Sequence, residues 1–289
     1  MSAPWGLVLH GGAGVRAGRN YDRAQAFLLE TVNDGAERLK RGASALDVVE
    51  AMVLALETSG LFVAGRGSAA NAVGDVELDA SIMNGRDGRA GAVSALRGFT
   101  NPVQVARRVM ERSEHVMLTS AGAEAFAAEQ SCTASPPGLD WLVRPDGFEA
   151  VDLEEGHGTV GAVALDISGG LAAATSTGGI YGKRPGRVGD TPIIGGGTWA
   201  DSRVAVSCTG LGEAFIRASA AHDLAARVRY AGQGLDQAAA GVLVEVARLG
   251  GDGGLIAIDA EGRIAMPYDT DGMKRAWASH HAAPQAAVF

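Results

Sequence analysis

The sequence predicts an α/β fold, a four-layer αββα sandwich of two mainly antiparallel sheets stacked face to face with helices outside. Three observations carry this. Helical patterns come in pairs rather than alternating singly with strands, which disfavours a parallel doubly wound sheet. The strand patterns are near-continuous apolar runs, as in sheets covered on both faces. The order of hairpins followed by paired helices occurs in each half of the chain. A length of 289 residues with 47% apolar residues fills such a core as a single domain, 1–289.

The elements follow in order. "GLVLHGG" is a short apolar strand running into a glycine turn. Phe27, Thr31, Gly35 and Leu39 mark one helix face. Leu46, Val49, Val53 and Leu56 mark a second, with Ser44 and Asp47 placed as a capping box. "VELDASIM" alternates, and "NGRDGRAG" turns it into "AVSAL". "TNPVQVARRVMERS" offers Asn101 as a cap and Pro102 at the first helical position, and a further helix spans Ser120 to Gln130. From Ser131 to Gly158 the pattern fails amid paired prolines and acidic residues, as expected of a flexible linker. Beyond it, "TVGAVALD" and "LAAATSTGG" form a hairpin around "ISGG", and "RVAVSCTG" is another buried strand. Glu213–Tyr230 and Leu235–Leu249 are helices, and "GGLIAIDAEGRIAMPY" is a closing hairpin.

Composition bounds the function. The 33 acidic and 25 basic residues leave a formal charge of −8 without any Lys/Arg run. This argues against nucleic acid and acidic membrane surfaces and leaves small neutral or zwitterionic ligands. The N-terminal stretch has no basic region ahead of a long apolar one, and no apolar run approaches membrane-spanning length. With Cys132 and Cys208 in unlike contexts, a cytoplasmic location is expected. Glycine is unusually frequent, 42 residues, and predicts a site built largely from backbone.

Most chemical motifs are absent. "HGGAGVRAG" loosely fits a dinucleotide fingerprint, but two helices follow it where one crossover helix and a parallel strand are required. The six histidines are scattered without metal-ligand spacing. No Gly-x-Ser-x-Gly elbow is present. Threonine remains. Thr159 follows a glycine at the end of the linker and starts a strand, while Thr175, Thr177 and Thr209 end strands beside glycines. Each alone is what strand propensity produces. Together they fit an amino-terminal threonine that attacks with its hydroxyl and uses its own α-amine as base.

The motifs "HGGAG", "GTVGAVALD", "AAATSTGG", "PGRVGD" and "SCTGLGEAFIRA" resemble the plant-type asparaginases, or isoaspartyl peptidases, of the N-terminal nucleophile (Ntn) hydrolases over nearly the whole chain. The resemblance implies self-cleavage at Gly158–Thr159 into an α subunit, 1–158, and a β subunit, 159–289, which assemble as a dimer of αβ heterodimers. The implied substrates are L-asparagine and β-aspartyl dipeptides. Thr159 is the implied nucleophile and Thr177 orients its hydroxyl. Thr209 and the Gly210 N–H form the oxyanion hole, and Arg187 and Asp190 clamp the substrate's carboxylate and ammonium, with Gly210 and Gly212 helping to hold the latter. No cofactor is implied for catalysis. A structural sodium ion on main-chain carbonyls is implied at Leu56, Glu57, Ser59, Phe62, Ala64 and Arg66. One departure stands out, because Val63 occupies a position where the family commonly has Asn near the nucleophile. It leaves a rival expectation of a weakly active or unprocessed homologue acting as a binding or scaffold protein.

Overall fold

The structure, a computed structural model, describes residues 3–147 and 158–289. Of the expected linker, 131–147 is irregular chain held by specific hydrogen bonds, such as Val143 N–H to Arg66 O and Asp146 N–H to Leu61 O. Residues 148–157 lie outside the described residues.

The first half runs β1 (Gly6–His10), α1 (Asp22–Lys40), α2 (Ala45–Ser59), β2 (Leu78–Asn84), β3 (Ala90–Leu96), α3 (Pro102–Arg112), β4 (Met117–Thr119) and α4 (Ser120–Glu129). The second runs β5 (Val160–Leu165), β6 (Leu171–Thr177), β7 (Thr198–Ala200), β8 (Val204–Gly210), α5 (Gly212–Ala218), α6 (Ala220–Ala231) and α7 (Leu235–Arg248). It ends with β9 (Gly253–Asp259), β10 (Ile264–Ala265), β11 (Arg275–Ser279) and β12 (Ala282–Ala287). One sheet has the order β12-β11-β1-β5-β6-β2-β3-β4 and the other β10-β9-β8-β7. Among the described strand pairs only β3 and β4 are parallel.

Three apolar layers glue the sandwich. Leu7, Leu28, Met52, Leu56 and Val109 belong to the layer between the large sheet and α1–α4. Val8, Val163, Ala173, Ala205 and Ile256 fill the space between the sheets. Val206, Phe215, Leu224 and Val242 join the small sheet to α5–α7. The four-layer αββα sandwich read from the sequence is therefore the observed architecture.

Several local expectations change. The helix expected over Glu213–Tyr230 is two helices broken at Ser219, whose φ of 49° and ψ of 45° are left-handed. The new start is stabilised from outside: Ala221 and His222 donate their N–H groups to Gly196 and Gly195 carbonyls, satisfying donors that a helix start leaves open. Asn101 makes no side-chain cap on α3. Buried Glu57 reaches over from α2 to accept from Val103 N–H at 3.1 Å and from Asn101 Nδ2 at 3.1 Å. The expected closing hairpin is followed by β11 and β12, and β11 returns to pair with β1. The Ser44–Asp47 cap forms as expected, with Asp47 N–H donating to Ser44 Oγ at 3.2 Å.

Candidate active site

The peptide bond between Gly158 and Thr159 stands immediately before β5, whose six residues are all buried between β1 and β6. A strand held on both edges fixes the residues that lead into it. Thr159 is only 6% exposed. Gly158 and Thr159 line a small pocket with Thr177, Arg187, Asp190 and Gly210.

Thr177, at the end of β6, donates its hydroxyl proton to the Gly158 carbonyl oxygen at 2.6 Å and accepts from Gly179 N–H at 3.0 Å. The resemblance assigns Thr177 to the hydroxyl of Thr159; in the uncut chain its proton goes to the neighbouring carbonyl instead. That hydrogen bond draws electrons toward the carbonyl oxygen and makes its carbon a better target for the adjacent Thr159 hydroxyl.

Close packing explains the small residues here. Gly12, at φ 98°, lies so near that a Cβ on it would sit 3.2 Å from Thr159 O and 3.4 Å from Thr159 N. A Cβ on Gly158 would sit 3.0 Å from Cβ and Cγ2 of Val63. Val63 therefore packs directly on the junction, where the resemblance implies an asparagine in other family members. Thr209 Oγ1 lies deeper, fully buried, and accepts from Ala13 N–H at 3.3 Å. The glycine turn after β1 and the end of β8 are thereby tied together.

A chain of buried hydroxyls runs beneath the pocket. His10 Nε2 is 2.9 Å from Ser207 Oγ, Ser207 Oγ is 2.7 Å from Thr175 Oγ1, and Thr198 donates to Thr175 at 2.5 Å. Ser81 hydrogen-bonds both Thr198 Oγ1, at 2.8 Å, and the Thr191 carbonyl, at 2.6 Å. Thr175 thus serves this chain rather than the pocket wall. Burial, only partly offset by the Thr159 backbone, drives the His10 pKa down to about 3 and keeps the ring neutral. Sequence reading set His10 aside with the other five histidines as lacking metal-ligand spacing. The signal for its true role was its register opposite Gly161, where a Cβ would strike both the ring and Ser207.

Arg187 and Asp190 both face the pocket but do not pair with each other. Arg187 forks onto Glu213, Nε to Oε1 at 2.9 Å and Nη2 to Oε2 at 2.8 Å. Glu213 was not singled out in the sequence. Arginine has five donors, and with Nε and one Nη2 proton engaged, the Nη1/Nη2 edge keeps the geometry to take a second carboxylate. Glycine at 189 and 212 leaves that edge open, since a Cβ on either would lie 3.0 Å from Nη1 or Nη2. Burial pushes the Asp190 carboxyl up to about 7; the Arg187 charge pulls it down, and Glu213 and Asp79 push it further up. Asp190 Oδ2 is buried without a partner. A cation arriving beside it would relieve both conditions.

The segment proposed for sodium lies at the end of α2 and the turn after it. The carbonyls of Leu56, Phe62, Ala64 and Arg66 each accept one hydrogen bond from within the chain, leaving a second lone pair on each. A Cβ on Gly65 would lie 2.5 Å from Glu57 O, and one on Gly67 would fall on Phe62 O, 3.1 Å from Gly60 O. The glycines thus let carbonyl oxygens converge, which fits a hard cation. The Glu57 carboxylate itself is committed to α3, and the Ser59 hydroxyl to Leu56 O.

Comparison with known proteins gives the family. The family described as Asparaginase matches residues 3–141 and 142–288. An isoaspartyl peptidase of Escherichia coli K12 is 44% identical, over 98% of this chain and 95% of its own length. An isoaspartyl peptidase/L-asparaginase of Rattus norvegicus is 43% identical, over 94% of this chain and 85% of its own. A probable isoaspartyl peptidase/L-asparaginase 2 of Arabidopsis thaliana is 36% identical, over 99% of both. With its sandwich fold and a glycine–threonine junction beside a pocket lined by Arg187 and Asp190, the chain belongs to the asparaginase family of Ntn hydrolases.

Proposed function

We propose that this chain is an autoprocessing threonine amidohydrolase that converts L-asparagine to aspartate and ammonia and cleaves β-aspartyl dipeptides. The observation that carries the reading is the 2.6 Å hydrogen bond from Thr177 to the carbonyl of Gly158, made at the mouth of a pocket walled by Arg187 and Asp190. In the uncut chain the nitrogen of Thr159 is an amide and cannot act as a base. Thr159 Oγ1 attacks the Gly158 carbonyl carbon, the C–N bond breaks as the C–O bond forms, and the hydroxyl proton ends on the freed amine. Water then hydrolyses the ester, leaving a carboxylate on Gly158 and an N-terminal threonine. That amine next serves as base while Thr159 attacks the side-chain amide of asparagine or the isopeptide carbonyl of a β-aspartyl dipeptide. Thr209 and the Gly210 N–H stabilise the oxyanion. Ammonia or an amine leaves, and water releases aspartate.

The substrate's head group is a zwitterion, and one guanidinium with one carboxylate is its complement. Arg187 takes the α-carboxylate on its open edge, and Asp190 takes the α-ammonium with the backbone around Gly210 and Gly212. A sodium ion on the carbonyls of Leu56, Glu57, Ser59, Phe62, Ala64 and Arg66 would stiffen the turn that carries Val63. A dimer of αβ heterodimers in the cytoplasm completes the proposal; among the described residues no helix is long and apolar enough to cross a membrane.

Val63 favours one alternative, a slowly processed homologue that only binds its ligand, because an apolar side chain sits on the scissile glycine. Denaturing gels and N-terminal sequencing separate the two. The enzyme gives a second fragment beginning Thr-Val-Gly-Ala, and Thr159→Ala stays full length. A wild-type chain that persists as one band sinks the proposal.

A further inference from the structure

Arg187 is carried by irregular chain that is unusually well anchored. Lys183 and Glu77, each with a side chain 2% exposed, stand 3.8 Å apart behind it. Lys183 Nζ donates to the carbonyl oxygens of Glu77 and of Arg187 itself, both at 3.3 Å. The Glu77 carboxylate accepts the Gly186 N–H at 3.0 and 3.1 Å and Arg97 Nη2 at 2.8 Å. Burial alone would raise the Glu77 pKa; the hydrogen bonds from Arg97 and Gly186 and the charge of Lys183 outweigh it and hold the group ionised below its ordinary range. The lysine stem passes directly behind Gly179, since a Cβ there would lie 2.9 Å from both Cδ and Nζ. Gly179 lines the pocket.

A buried ion pair is a poor source of stability, because desolvation offsets most of the attraction. What this pair does fix is direction: every hydrogen bond above lands on the backbone at residue 77, 186 or 187, or comes from Arg97 just after β3. We infer that Lys183 and Glu77 are positioning residues, a charged brace that sets the backbone of Gly186 and Arg187 so that the guanidinium edge meets the substrate's α-carboxylate. This rests on the function proposed above. Neither Lys183 nor Glu77 hydrogen-bonds Thr159 or Thr177, so the brace governs recognition, and a methionine at 183, which keeps an apolar stem behind Gly179, is expected to leave self-cleavage intact.

The test uses the full chain carrying Lys183→Met or Glu77→Gln, with a thermal melt to confirm folding; if one variant does not fold, the other decides. Two substrates are compared: L-asparagine, and 3-aminopropanamide, which is asparagine without its α-carboxylate. A positioning role predicts wild-type maturation on gels and kcat/KM for asparagine reduced about tenfold or more, the weight of one misaligned charge-assisted contact. Activity on 3-aminopropanamide stays unchanged, so the preference for asparagine narrows. Calorimetric titration with L-aspartate should weaken about tenfold as well, by the same lost contact. Equal losses on both substrates, slowed maturation, or unchanged preference and aspartate affinity would each overturn the inference. If the wild type binds aspartate but hydrolyses neither amide, the proposed activity fails and the aspartate titration alone decides the brace. A wild type that does neither overturns both.

Discussion

At the scale of single residues, Val63 is the point where packing and chemistry pull apart. Its side chain is buried and touches the space above Gly158 Cα, so it can fill volume there but offers no hydrogen bond to a threonine or a water. Val63→Asn introduces an amide of similar size at that spot. The expected result is faster appearance of the 159–289 fragment or higher turnover, set against a stability cost of about 1–3 kcal/mol if the amide finds no partner. Timed gels, assays and a melt measure these separately, and no change in either rate would make valine a neutral replacement. Asp190 gives a second prediction at this scale. Its carboxyl sits at about 7 rather than 3.8, so acidification neutralises it well before an ordinary aspartate. Only the ionised form holds an ammonium group; KM for asparagine should therefore climb by up to about tenfold per pH unit below about pH 7. The stability effect has the opposite sign: the folded state binds the extra proton between 3.8 and about 7, so Asp190 lowers stability progressively as pH rises through that window. A KM flat from about pH 5.5 to 8 would remove Asp190 from the ammonium site. Of the residues lining the pocket, Thr159 and Thr177 stood out locally as threonines beside glycines at strand ends, whereas Arg187 and Asp190 were named only through the resemblance, since their spacing alone suits a surface ion pair as well. Glu213, Lys183, Glu77 and His10 were not legible, because each acts through a partner 26 to 197 residues away, and nothing local marks such a pairing.

At the scale of elements, long periodic segments were readable and short or externally held ones were not. The strands around the site, β1, β5, β6 and β8, are apolar runs bounded by glycines, and their positions match expectation. β7, of three residues, is too short to show any period. The break between α5 and α6 left no glycine or proline as a sign, because it is imposed by the carbonyls of Gly195 and Gly196. This makes Ser219 a test of the cause. A left-handed conformation costs a non-glycine residue about 1–2 kcal/mol, and glycine's added chain entropy costs about 0.5–1 kcal/mol in return. Ser219→Gly should therefore stabilise the fold by roughly 0.5–1 kcal/mol, a rise in Tm of a few degrees at most for a domain this large. A fall in Tm would mean that the Ser219 side chain contributes more at the break than its backbone strain costs.

At the scale of the whole molecule, the order of strands decides what cleavage can do. Residues 1–158 supply β1, β2, β3 and β4 to the large sheet, and residues 159–289 supply β5, β6, β11 and β12. In space the two sets alternate: β12 and β11, then β1, then β5 and β6, then β2, β3 and β4. Cutting before Thr159 consequently leaves three seams where a strand of one fragment pairs antiparallel with a strand of the other, β11 with β1, β1 with β5, and β6 with β2. Each seam lies over apolar layers shared by both fragments, with Leu7 and Val53 beside Ala162 and Ala174 on the helix side, and Val8 beside Val163 and Ile256 on the other. Separation would expose all of these surfaces at once, at about 25 cal/mol for each Å² of apolar area. The cleaved protein is therefore expected to elute as one species on native size exclusion, to melt in a single cooperative transition, and to yield two fragments only in denaturant. Free 159–289 recovered in folded form would contradict this, since β5 would then have lost its partner on one side and kept its buried, wholly apolar run without cover. On the proposed reading, the same interleaving would let the chain be cut beside Thr159, at the start of a central strand, and still keep the pocket that both fragments line.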